Sequence, residues 1–102
     1  MASGKSGKAG PRETSNRARV ATFQPECLED LSWWVENDPR VAEKVLTLAK
    51  ECLRTPFSGR GKPEALKGAL SGCWSRRITQ EHRLVYTVTD DRVEFLQARY
   101  HY

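Results

Sequence analysis

A chain of 102 residues, with 17 lysines and arginines against 13 aspartates and glutamates, a formal net charge of +4 and 38% hydrophobic residues, is bounded to one small domain. No stretch is long or apolar enough for a signal peptide or a membrane span, so a soluble, cytoplasmic protein is expected. Cys27, Cys52 and Cys73 are odd in number and form no C-x-x-C or Cys/His pattern, so they read as small buried hydrophobes in a reducing compartment, and neither metal nor cofactor is expected.

Residues 1–19 hold five cations and one acid, with nothing apolar beyond Met and Ala. Such a segment cannot bury enough surface to offset the entropy of ordering, and reads as a disordered basic leader ahead of a domain at 20–102. Val20 to Phe23 alternates weakly and stops at Gln24-Pro25, which predicts a short first strand. Pro25 suits a first helical turn, with Glu26, Glu29 and Asp30 where the helix dipole favours negative charge. Leu28, Leu31 and Val35 recur at helical spacing, with Trp34 flanking them. Asn37-Asp38-Pro39 ends that helix and starts another, in which Val41, Val45, Leu48 and Cys52 form a stripe widened by Ala42, Leu46, Ala49 and Leu53. An antiparallel helical hairpin packed on a sheet follows.

Thr55 to Pro63 carries two Pro and two Gly and reads as loop; Glu64 to Lys67 is expected to make one helical turn. Cys73–Thr79, His82–Val88 and Arg92–Tyr100 are β-rich, with Thr89-Asp90-Asp91 as a hairpin turn. The order β-α-α-β-β-β, with an antiparallel C-terminal meander, predicts an α+β domain. Alternation puts Trp74 and Ile78 on one face and Ser75 and Arg77 on the other. It turns Leu84, Tyr86 and Val88 to the helices and Arg83 and Val85 to the open face. Arg99 and His101 share a face, opposite Tyr100 and Tyr102.

Charge is polarised along the chain. Residues 26–51 carry seven acids against three cations, whereas residues 60–83 carry six cations against Glu64 and Glu81. The split suggests one face for a polyanion. Cleaving RNA without metal takes a base for the 2′-hydroxyl, cations for the charge on phosphorus and an acid for the leaving 5′-oxygen. Glu64 fits the base, Arg83 and Arg77 the cations, and His101 the acid, since histidine titrates nearest neutrality. On residue types alone the blander readings stand beside this one. The cations are then a solvated or nonspecific anion-binding face, Glu64 a loop salt bridge, His82 structural, His101 an idle chain end, and Trp33, Trp34 and Trp74 core.

The motifs K-P-E-x-L-K (Lys62 to Lys67), L-S-G-x-W-S-R-R-I (Leu70 to Ile78), H-R-L-V-Y (His82 to Tyr86) and the terminal R-Y-H-Y resemble the YoeB/Txe toxins of the RelE/ParE superfamily, over about residues 21–102. The resemblance implies a RelE-like fold, with an antiparallel sheet and a helical hairpin on one face. It implies a ribosome-dependent mRNA endonuclease that acts in the A site on mRNA and inhibits translation, neutralised by a YefM/Axe-type antitoxin, with a homodimer as a further possibility. By the same resemblance Glu64 is the general base, Arg83 the phosphate-stabilising cation, His101 the general acid and Tyr102 a shaping or stacking group. Lys67 and Arg77 would contact phosphate, and the products would be a 2′,3′-cyclic phosphate and a 5′-hydroxyl. The expected substrate-binding set is Lys62, Lys67, Arg76, Arg77, Trp74 and Arg99. Departures from the family pattern are Ala65 in place of a second proline, Cys73 in place of an aromatic, and the basic leader. The alternatives are a catalytically idle RNA- or ribosome-binding module and a protein that only sequesters the antitoxin.

Overall fold

The computed structural model describes residues 18–100. In chain order these form β1 (Val20–Phe23), α1 (Pro25–Asn37), α2 (Pro39–Arg54), β2 (Glu64–Ala65), a 3-10 turn (Gly68–Leu70), β3 (Trp74–Arg77), β4 (Arg83–Val88) and β5 (Arg92–Gln97). Each helix opens on a proline, whose missing N–H is one the first turn leaves unbonded anyway. The leader expected over 1–19 lies almost wholly outside the described residues. Arg19 is fixed: its N–H donates to Leu53 O at 2.9 Å and its Nε to Thr89 O at 2.8 Å.

The strands build one five-stranded sheet in the order β1-β5-β4-β3-β2. The meander is antiparallel as expected, but β1 runs parallel to β5, so the sheet is mixed. Glu64 and Ala65, expected in a helical turn, instead pair with Ser75 and Trp74 as a short edge strand. The helices cover one face. Cys27, Trp34, Ala42, Val45, Leu48, Ala49 and Cys52 pack there on Ile78, Leu84, Tyr86, Val93, Phe95 and Ala98. The buried stripe of α1 is Cys27 and Trp34 with Leu31 beside them, not Leu28 and Val35, which are 51% and 59% exposed. The indole explains that rotation. Burying Trp34 removes the largest apolar area from water, and its Nε1–H finds Ala98 O at 2.7 Å.

Among the described residues no helix is long and apolar enough to cross a membrane.

Candidate active site

Sheet register decides which side chains can meet. Glu64 pairs with Ser75, Ser75 with Val85, and Val85 with Gln97, so these four form one row across β2, β3, β4 and β5. Directly paired residues project to the same face. Two residues further along, Arg77 stands opposite Arg83. Glu64, Arg77 and Arg83 therefore share the face the helices leave open. With strands about 4.8 Å apart and about 3.3 Å per residue, the Glu64 and Arg83 backbones lie roughly 12 Å apart. Two side chains of that length can reach toward one phosphodiester from its two sides. Glu64 and Arg77 are exposed and Arg83 is half-buried.

Arg83 is held before any ligand arrives. Its Nη1 donates to Thr79 O, Gln80 O and His82 O at 3.0, 3.1 and 3.1 Å. The turn presenting those carbonyls is itself closed by Thr79 Oγ1, which accepts from the N–H groups of Glu81 and His82. A cation fixed in this way pays little reorganisation when charge develops near it.

The loop leading to Glu64 is fastened from inside by Arg76. This residue was expected among the substrate contacts, and the structure corrects that: Arg76 is 0% exposed. Its Nη1 donates to Glu51 Oε1 and Arg60 O, both at 3.1 Å, its Nη2 to Ser58 O at 2.7 Å and to Thr55 O, and its Nε to Tyr86 Oη at 3.3 Å. Tyr86 Oη in turn donates to Pro56 O at 2.7 Å. One planar guanidinium thus ties residues 55–60 to the sheet. The sequence held the signal, because alternation places Arg76 with Trp74 and Ile78 on the helix side. The loop then runs against β3. Arg77 N–H donates to Gly61 O at 2.7 Å, and a Cβ on Gly61, whose φ is +83°, would come within 3.0 Å of Arg77 O. Only glycine fits that approach.

Trp74 is also displaced from the expected set. It pairs with Tyr86 and Ala65, hence lies on the face opposite Glu64, and its half-buried ring sits 4.8 Å from Phe57. Lys62 and Lys67 are exposed at the two flanks of β2. Arg99 is half-buried, with its guanidinium carbon 3.6 Å above the Trp33 ring and 4.7 Å from that of Tyr100.

His101 and Tyr102 lie outside the described residues. The residue before them is closely held: Tyr100 N–H donates to His82 Nδ1 at 2.6 Å, and Tyr100 O accepts from Arg83 N–H at 2.9 Å. Tyr100 takes φ +62°, a left-handed conformation that costs a non-glycine residue about 1–2 kcal/mol. His82, read from sequence as structural, packs edge-on against Trp34 at 4.8 Å.

The comparisons with known proteins converge. The family model of the "YoeB-like toxin of bacterial type II toxin-antitoxin system" matches residues 23–102. Toxin YoeB of Escherichia coli is 56% identical over 80 residues, which cover 78% of this chain and 95% of that one. The Staphylococcus aureus YoeB dimer structure superposes with a TM-score of 0.76 at 41% identity, covering 84% of this chain and 100% of that one. A heterotetrameric YoeB-YefM toxin-antitoxin complex from the same organism gives 0.73 at 42% identity, covering 83% and 100%. The chain belongs to the YoeB-like toxins of bacterial type II toxin-antitoxin systems.

Proposed function

We propose that this toxin is a ribosome-dependent mRNA endonuclease acting by acid–base chemistry at the open sheet face. The Glu64 carboxylate takes the proton of a 2′-hydroxyl, and the freed oxygen attacks the adjacent phosphorus. Arg83, with Arg77 beside it, stabilises the added charge, and Lys62 and Lys67 hold neighbouring phosphates. The P–O5′ bond breaks as His101 delivers a proton to the leaving oxygen, with Tyr102 shaping the same end of the site. The products are a 2′,3′-cyclic phosphate and a 5′-hydroxyl. The reading rests on the register by which Glu64, Arg77 and Arg83 share the face the helices leave open.

By likeness to the Staphylococcus aureus assemblies, the toxin forms a homodimer alone and is neutralised by a YefM-type antitoxin. The site of action is then the cytoplasm, on translating ribosomes. Inducing the toxin without antitoxin should arrest growth, and primer extension on a translated reporter mRNA should reveal new 5′ ends. Glu64→Gln and His101→Gln should each lower the cleavage rate by about 100-fold or more while leaving the melting temperature unchanged. Variants as toxic and as active as the parent would leave the nuclease reading without support.

A further inference from the structure

Two consecutive residues, His82 and Arg83, grip the main chain of Tyr100 from both sides: the first accepts from its N–H, the second donates to its C=O. The same Arg83 carries the guanidinium that the turn carbonyls anchor. A left-handed tyrosine is uncommon, and it persists only where its surroundings over-determine it. Here they do. The His82 imidazole is wedged edge-on against buried Trp34, which fixes where Nδ1 points, and the Arg99 guanidinium lies over the Tyr100 ring.

We propose that His82 is a positioning residue for catalysis. Its Nδ1 clamps the Tyr100 amide and fixes the left-handed turn there, immediately before His101 in the chain. The role rests on the reading of His101 as the acid. Because His82 and Arg83 are neighbours, one dipeptide holds both the Tyr100 main chain and the proposed charge stabiliser. His82 itself touches no substrate. Its Nδ1 serves as acceptor, which places the ring proton on Nε2.

The test compares His82→Phe, which keeps a ring against Trp34 but has no acceptor, with His82→Asn, whose Oδ1 stands near the position of Nδ1. Cleavage of a reporter mRNA on purified ribosomes gives the saturating rate and the half-saturating ribosome concentration. His82→Phe should lose about 10- to 100-fold in the saturating rate, since a misplacement of about 1 Å is costly. Its half-saturating concentration should stay within about two-fold of the parent, because uniform binding is untouched. His82→Asn should recover to within about five-fold of the parent rate. Hydrogen exchange at the Tyr100 amide supplies a readout independent of activity: slow in the parent and in His82→Asn, about ten-fold faster or more in His82→Phe.

A parent-level rate for His82→Phe, or equal losses in both variants, overturns the proposal. So does an unprotected Tyr100 amide in the parent, a measurement that decides the matter even where His82→Phe does not fold. His101→Gln, run alongside, separates the two ideas. If it is inactive while His82→Phe cleaves normally, the clamp alone fails. If it cleaves at the parent rate, the terminal-acid reading fails and takes the positioning role with it.

Discussion

Arg76 and Arg77 are adjacent, share a charge and do opposite things, because a strand turns successive side chains to opposite faces. Arg76 goes inward, where its donors are matched by Glu51, Tyr86 Oη and the carbonyls of Thr55, Ser58 and Arg60. Arg77 goes outward, opposite Arg83. Arg76→Met should therefore cost about 3–5 kcal/mol in urea unfolding, because it strips three carbonyls of their side-chain donor and leaves the Glu51 carboxylate with the Arg60 N–H alone. Arg76→Lys should recover little of this, since an ammonium cannot span so wide a fork of acceptors. Arg77→Gln should change stability by less than about 0.5 kcal/mol. On the reading proposed above, it should still slow cleavage. If the two positions respond alike in both measurements, the assignment of faces is wrong. Arg76 also shows what a charge count along the chain misses: six cations between residues 60 and 83 suggest one basic surface, yet one of them is spent holding the loop.

The helices and the meander were legible because their signals are local. Val20–Phe23 and the two proline-started helices follow from alternation, apolar spacing and the breaks at Gln24-Pro25 and Asn37-Asp38-Pro39. The parallel pairing of β1 with β5 was not legible, since its partners are about 70 residues apart and β1 carries no mark of which edge it joins. The edge strand at Glu64 was missed for a related reason: two residues have no period, and pairing with β3 alone makes them a strand. Yet that pairing puts Glu64 on the same face as Arg77 and Arg83, a placement that residue type alone does not carry. The helical layer also carries a pH signature. Burial pushes the Cys27 thiol of α1 from its ordinary 9.0 up to about 12, with Asp30 and Glu26 adding to the rise. Burial likewise takes Cys52 of α2 to about 11, against the opposing pull of Arg76 and a Tyr86 hydrogen bond. Raised folded values mean that the unfolded chain sheds these protons first. The stability they contribute is complete below pH 9 and drains as pH climbs toward 11–12. Between pH 8 and pH 10.5 the two thiols should together lower the urea-unfolding stability by on the order of 3 kcal/mol, with the buried Tyr86 hydroxyl, also pushed up, adding to the fall. Cys27→Ala should remove about half of the thiols' share. An unchanged slope in Cys27→Ala would mean that this thiol ionises freely in the fold.

Among the described residues, the acids of the helices and the cations Arg77 and Arg83 lie on opposite sides of one sheet. The acids of residues 26–51 sit on the helices, with Glu26, Glu29, Glu36, Asp38 and Glu43 exposed, while Arg77 and Arg83 lie on the face away from the helices. A net charge of +4 would attract any polyanion weakly from all directions; a two-sided molecule should instead bind from one direction, with a salt dependence belonging to that face. The Glu64→Gln variant, which removes the proposed base, allows this to be measured on a short single-stranded RNA without cleavage. If Lys62, Lys67, Arg77 and Arg83 each neutralise one phosphate, the logarithm of affinity should fall against the logarithm of salt with a slope of about −3, at about 0.7 per phosphate on a single strand. Adding Arg77→Gln should reduce the slope by about 0.7, whereas adding Lys44→Gln, which removes the same charge from exposed α2, should leave it unchanged. Equal changes from both would mean that RNA responds to the overall charge and not to the sheet face, which would remove the electrostatic reason for placing the reaction there.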